Sequence, residues 1–115
     1  MTDMHIDHRV LSELQEVMED GYLQLLETFL EDSGRRLDEL HGARNADELG
    51  VAAHSFKGSS SNMGAVGLAQ LCHQLEERVK QRSLHGIEEL INRIDQEYLE
   101  VQRFYQGERK RVSAG

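Results

Sequence analysis

Residues 22–41 read YLQLLETFLEDSGRRLDELH. Tyr22, Leu26, Phe29, Leu30, Ser33, Leu37 and Leu40 recur at steps of three and four, the period of one continuous helical stripe. The spacing predicts a long helix from about Tyr22 to His41, with Gly42 as its C-terminal stop. The same period extends in both directions. Upstream, Val10, Leu11, Leu14 and Val17 share one side of a short helix. Asp7 is its N-cap, and Ile6 is placed to pack on Leu11 as a staple. Asp20-Gly21 then breaks the pattern.

Downstream, Asn45 or Asp47 can cap a third helix from about Asp47 to Asn62, with Leu49, Ala53, Phe56, Ser60 and Met63 inward and Gly64 ending it. A fourth helix, about Ala65 to Arg82, places Leu68, Leu71, Cys72, Leu75 and Val79 inward. Ser83 to Gly86 reads as a turn. The last helix carries Ile87, Leu90, Ile91, Ile94, Tyr98, Val101 and Tyr105 and gives way to a polar tail, residues 106–115. No strand-like alternation competes, and short connections make neighbouring helices antiparallel. The expected fold is all-α: an up-down-up-down four-helix bundle preceded by a short N-terminal helix, one domain over residues 1–115 with its core at about 6–105.

Composition agrees. Proline and tryptophan are absent, apolar residues make up 38% and charged residues 30%, which suits helices with one apolar stripe and a broad solvated face. Lys and Arg total 13 against 21 Asp and Glu, a formal charge of −8. That balance lacks the basic footprint of a nucleic-acid binder. The one basic cluster, Arg109-Lys110-Arg111, suits the dipole at the end of a last helix. The single cysteine, Cys72, excludes an intrachain disulfide and fits a reducing compartment. No apolar run approaches the roughly 18 residues of a membrane span, and Met1 to His8 has no apolar signal core. A cytoplasmic protein is expected, and a monomer, because the apolar stripes are used up inside one bundle.

Chemistry is concentrated in the third helix, at Ala52-Ala53-His54-Ser55-Phe56-Lys57-Gly58-Ser59-Ser60-Ser61-Asn62. His54 lies about 100° of turn from the inward Ala53, so it faces water while its neighbour packs. Lys57 and Gly58 follow at i+3 and i+4, on the same face. That face offers an imidazole, an ammonium and a bare patch. Glycine inside a helix costs about 0.5–1 kcal/mol relative to alanine, so Gly58 points to a need for close access. A neutral imidazole nitrogen is a competent nucleophile, with an unperturbed pKa of about 6.5. Attack on an acyl phosphate gives a phosphoimidazole whose oxygens an ammonium one turn away can bond. Phosphoryl transfer asks mainly for positioning and charge neutralisation. A lone surface histidine is more often inert, and His-x-x-Lys-Gly arises by chance about once in a hundred such chains. The motif gains weight from its place on the outer face of an all-α bundle.

The stretch His54-Ser55-Phe56-Lys57-Gly58-Ser59-Ser60 resembles the phosphorylation motif of histidine-phosphotransfer (HPt) domains. Asn62-Met63-Gly64-Ala65, the run from Leu68 to Glu76, Ile6-Asp7 and the segment from Leu25 to Asp32 are similar to the rest of that family's pattern, over about residues 6 to 105, closest to its single-domain members. The resemblance implies that His54 accepts a phosphoryl group from an aspartate of one receiver domain, in a hybrid sensor kinase. It then passes the group to the receiver domain of a response regulator. It implies that Lys57 steadies the phosphoryl group, that Gly58 leaves room for the receiver, and that Mg²⁺ belongs to the receiver, leaving this chain without a cofactor. Val51, Ser55, Gly58 and Ser61 are the expected docking residues. Some members place Gln in the fourth helix facing the histidine. By spacing that position here is Glu76, with His73 and Lys80 one turn to either side, and Gln74, Glu76 and Lys80 receive no assigned role.

Other residues read as structural. His5 and His8 are three apart and His73 and Glu76 form another such pair, but no Glu-x-x-His occurs and the acids fall off the apolar stripes, so no metal site is expected and His5 and His8 are read as solvated. Cys72, Tyr22, Tyr98 and Tyr105 read as core or core edge. With no nucleotide loop, the chain is expected to be a phosphoryl carrier without kinase activity of its own. Two rivals stand beside it: a helical adaptor that performs no chemistry, and a histidine-based phosphatase, for which the sequence offers no second general acid.

Overall fold

The computed structural model describes residues 5–83 and 85–114. Five α-helices follow in order: α1 (His8–Met18), α2 (Tyr22–His41), α3 (Ala46–Asn62), α4 (Val66–Lys80) and α5 (Ile87–Ala114), with a 3₁₀ turn at Glu19–Gly21 between α1 and α2. Neighbours α2–α3, α3–α4 and α4–α5 pack together and α2 closes on α5, which makes a four-helix bundle. Its core is Tyr22, Leu26, Phe29 and Leu40 of α2, Ala53 and Phe56 of α3, Leu68, Cys72 and Leu75 of α4, and Leu90, Ile94, Tyr98, Val101 and Tyr105 of α5. These are the residues the spacing places inward. Burial pushes the Cys72 thiol up to about 12, as expected of a packing cysteine.

Local signals set the boundaries. Asp7 caps α1 by accepting from Arg9 N at 3.0 Å, and Ile6 and Leu11 are both buried. Asn45, of the two candidates, caps α3: its Oδ1 accepts from Glu48 N at 2.9 Å, while the Glu48 carboxylate accepts from Arg44 N. Gly64 follows α3 with φ +81, a conformation that favours glycine. The turn it forms is tied down twice, by Asp7 N donating to Gly64 O at 2.7 Å and by the Tyr105 hydroxyl donating to Met63 O. Those bonds anchor the α3–α4 turn to the segment before α1 and to α5.

Four expectations need correction. The polar tail is helical: α5 runs to Ala114, because Gln106, Glu108, Arg109, Lys110 and Arg111 are good helix formers. That last stretch is also held by contacts: Tyr22 donates its hydroxyl to Glu108 at 2.7 Å, and Val112 packs against the core edge. Val17 is 78% exposed, since the last turn of α1 runs past the core. His5 is half-buried and paired with Glu97 at 2.6 Å, whereas His8 is exposed as expected, its ring edge-on to Phe104. Finally, one acid does not fall off the packed face: Glu76 is 5% exposed. The turn expected at Ser83 to Gly86 includes Leu84, which lies outside the described residues, as do Met1–Met4 and Gly115 at the ends of the expected domain.

Candidate phosphoryl-acceptor site

The α3–α4 contact is close because α3 is built from small residues on that side. A Cβ on Gly50 would stand 3.1 Å from Val79 Cγ1, a tight contact at which the valine side chain would have to give by a few tenths of an ångström. Ala52 and Ala53 are buried alongside. This proximity lets a side chain of α4 reach the face of α3 that carries the histidine.

Glu76 makes that reach. Its Oε2 lies 2.6 Å from His54 Nδ1 and its Oε1 accepts from Lys57 Nζ, also at 2.6 Å. Lys80 Nζ stands further off, 3.8 Å from Oε2. The carboxylate side chain is 6% exposed and the imidazole it holds is 68% exposed. Burial by itself would push the Glu76 carboxyl up. The Lys57 and His54 hydrogen bonds outweigh it and hold the group below the ordinary glutamate value. An ionised carboxylate can only accept, so the proton of the neutral ring resides on Nδ1 and the lone pair on Nε2. Nε2 has no hydrogen-bond partner among the described residues.

The expected docking residues divide into two groups. Val51, Gly58 and Ser61 are exposed with His54 at steps of three and four along one open face. Nothing lies within 4 Å of the position a Gly58 Cβ would take. Ser55 is half-buried and turned toward α2, where Arg36 donates to its hydroxyl. Arg36 and Arg35 also bond Asp32, to which Ser59 donates at 3.3 Å. A groove beside His54 is lined by Gly50, Val51, Ser55, Glu76, Val79 and Lys80. No group of three or more metal-ligating side chains occurs among the described residues. The sequence placed Glu76 opposite the histidine without a role, although its spacing, four after Cys72 and three before Val79, marks an inward position.

A protein-family model described as Hpt domain matches residues 24–104, most of the chain. The chain belongs to the Hpt domain family. This is the phosphotransfer family of phosphorelays, whose domains interact with receiver domains. Histidine-containing phosphotransfer protein 2 of Arabidopsis thaliana is 27% identical over 119 residues, covering 90% of this chain and 76% of its own. The crystal structure of histidine-containing phosphotransfer protein B (HptB) from Pseudomonas aeruginosa is similar with a TM-score of 0.89 and 48% identity, over 93% of this chain and 96% of that one. A rice protein described as a putative histidine-containing phosphotransfer protein shares the fold, with a TM-score of 0.80 at 20% identity, over 91% of this chain and 79% of its own. No helix among the described residues is long and apolar enough to cross a membrane.

Proposed function

We propose that His54 is the phosphoryl carrier of this Hpt chain, with Nε2 as the nucleophile. The observation that carries this reading is the 2.6 Å contact from a buried Glu76 carboxylate to Nδ1, which leaves the exposed nitrogen with its lone pair. The Nε2 lone pair attacks the phosphorus of an aspartyl phosphate on a receiver domain. The P–O bond breaks and its electron pair returns to the receiver carboxylate. In the reverse step a second receiver's carboxylate attacks, and the P–N bond breaks.

Lys57 supports the same reading. An ammonium has three donors and Glu76 engages one of them, so the remainder are available to phosphoryl oxygens. Gly58 and the exposed Val51 and Ser61 give a receiver a flat approach, and Ser55 contributes by fixing α3 to α2. The donor is the receiver of a hybrid sensor kinase and the acceptor that of a response regulator. Mg²⁺ would be held by the receivers. The chain acts as a single-domain, cytoplasmic monomer and carries the group without kinase activity.

The test is transfer of labelled phosphoryl from a charged receiver domain to the purified protein. Acid-labile, base-stable label on the wild type and none on His54→Gln is the expected result. Label that survives in His54→Gln removes His54 from the role. No label from several receivers, with the protein folded, favours the adaptor reading.

A further inference from the structure

Phosphorylation changes what the ring must do with its proton. When Nε2 attacks phosphorus, the product is an Nε2-phosphoryl ring that still bears hydrogen on Nδ1 and is formally cationic. If that proton stays, the outgoing transfer breaks the P–N bond, returns the electron pair to Nε2 and expels a neutral imidazole. If it is lost, the leaving group is an imidazolate, a far stronger base and a poorer leaving group. The direction-neutral carrier is therefore the one that never releases the Nδ1 proton.

We propose that Glu76 is a positioning residue that keeps the Nδ1 proton on phosphorylated His54, and so holds the phosphohistidine competent to give its phosphoryl group away. This rests on the carrier reading of His54 and goes beyond it. The contact is 2.6 Å from a carboxylate with 6% exposure, where solvent does little to weaken it. The other charges around the ring are Lys57 and Asp47 on α3, Lys80 on α4, Arg82 just beyond it, and Arg36 of α2, itself engaged by Asp32 and Ser55. The cations among them oppose a proton on the ring. All of them remain in Glu76→Gln, so the comparison reads the loss of the carboxylate, with Lys57 released from it. The amide oxygen introduced by Glu76→Gln can still accept from Nδ1–H, but its NH2 group cannot accept from Lys57, so the substitution removes the charge and the Lys57 bond while leaving Nδ1–H an acceptor.

The experiment phosphorylates both proteins with phosphoramidate and follows loss of phosphate to one receiver domain across about pH 6 to 9. We expect the rates to agree within about twofold at the acid end. Toward the alkaline end Glu76→Gln should fall away about one pH unit earlier, which is about tenfold slower there. Profiles with the same inflection, offset by a constant factor, overturn the proposal and leave only a structural contact. Should Glu76→Gln not fold, the wild type decides the matter. The ¹⁵N shift of phosphorylated His54 Nδ1 must hold its protonated value to higher pH than in a phosphorylated peptide of residues 50–60, and coincident titrations overturn the proposal. Failure of the wild type to take label at His54 is a different result: it removes the carrier reading, and this proposal with it.

Discussion

Lys57 Nζ lies 2.6 Å from Glu76 Oε1, so the cation one helical turn from His54 is already engaged by a buried carboxylate before any phosphate arrives. Under the proposed function Lys57 has a second task, at the phosphoryl group, and substitutions should separate the two. Lys57→Met would then remove a charge-assisted bond to the phosphoryl group worth about 1.5–3 kcal/mol. Transfer rates measured by label should fall about tenfold to a hundredfold. Lys57→Arg keeps the charge and should recover much of that loss. A rate for Lys57→Met equal to wild type would show that Lys57 serves Glu76 alone.

Acid should destabilise the fold through three carboxylates. Glu76 and Asp32 are pushed up by burial but held down more strongly by Lys57 and His54, and by Arg36 and Arg35, respectively. Glu108 is held down by its Arg111 bond, against burial. Each folded value lies below the unfolded one, so the unfolded chain binds more protons as pH falls and stability drops with it. The contribution is complete above the ordinary values of 4.5 and 3.8 and is lost as pH falls through the lowered ones. Urea midpoints should therefore decline below about pH 4.5, and Glu76→Gln should show a shallower decline. Equal slopes would mean that the Glu76 pair contributes nothing to stability.

Gly58 sits mid-helix with empty space around it. Gly58→Ala should stabilise the protein by about 0.5–1 kcal/mol, read as a higher midpoint in urea. A bulkier Gly58→Leu should fold equally well and slow transfer from receivers, because its side chain occupies the approach to His54. Unchanged transfer with leucine there would show that receivers dock elsewhere.

Gly50 answers to packing instead. Gly50→Val forces a side chain onto Val79, 3.1 Å from the Cβ position, and should cost about 1–3 kcal/mol as an overpacked contact. By moving α4 it should also loosen the Glu76–His54 contact and slow transfer. Adding Val79→Ala makes room and should recover part of both losses. Recovery of neither would separate this contact from the site.

The stripes of α2, α4 and α5 were legible because each helix buries one face, and His54, Lys57 and Gly58 were legible because they share a face at i, i+3 and i+4. The role of Glu76 was not. A glutamate at an inward spacing demands a partner, but the partner lies 22 residues away on another helix. Only the small residues of α3, with Gly50 against Val79, bring the two together. The end of α5 was hidden for a related reason. Residues 106–114 are mostly polar, and polarity reads as a tail until Tyr22, 86 residues upstream, is seen to hold Glu108.

That contact makes the C-terminal turns a structural element, with a testable cost. Deleting residues 107–115 removes Glu108, Arg111 and Val112 together. Tyr22 is fully buried and donates to Glu108, and its hydroxyl is pushed well above the usual tyrosine range by burial and by that carboxylate. Leaving a buried hydroxyl without its acceptor costs about 1–3 kcal/mol, and for a chain this size the melting temperature should drop by roughly 4–8 °C per kcal/mol. Tyr22→Phe in the truncated chain should recover part of the loss, since it removes the stranded donor. His54 lies on the α3 face and touches none of these groups, so transfer at 25 °C should stay within about twofold of the full chain. A solvated tail would give no change in melting temperature, and that result would mean the Tyr22–Glu108 bond does not hold α5 to the bundle.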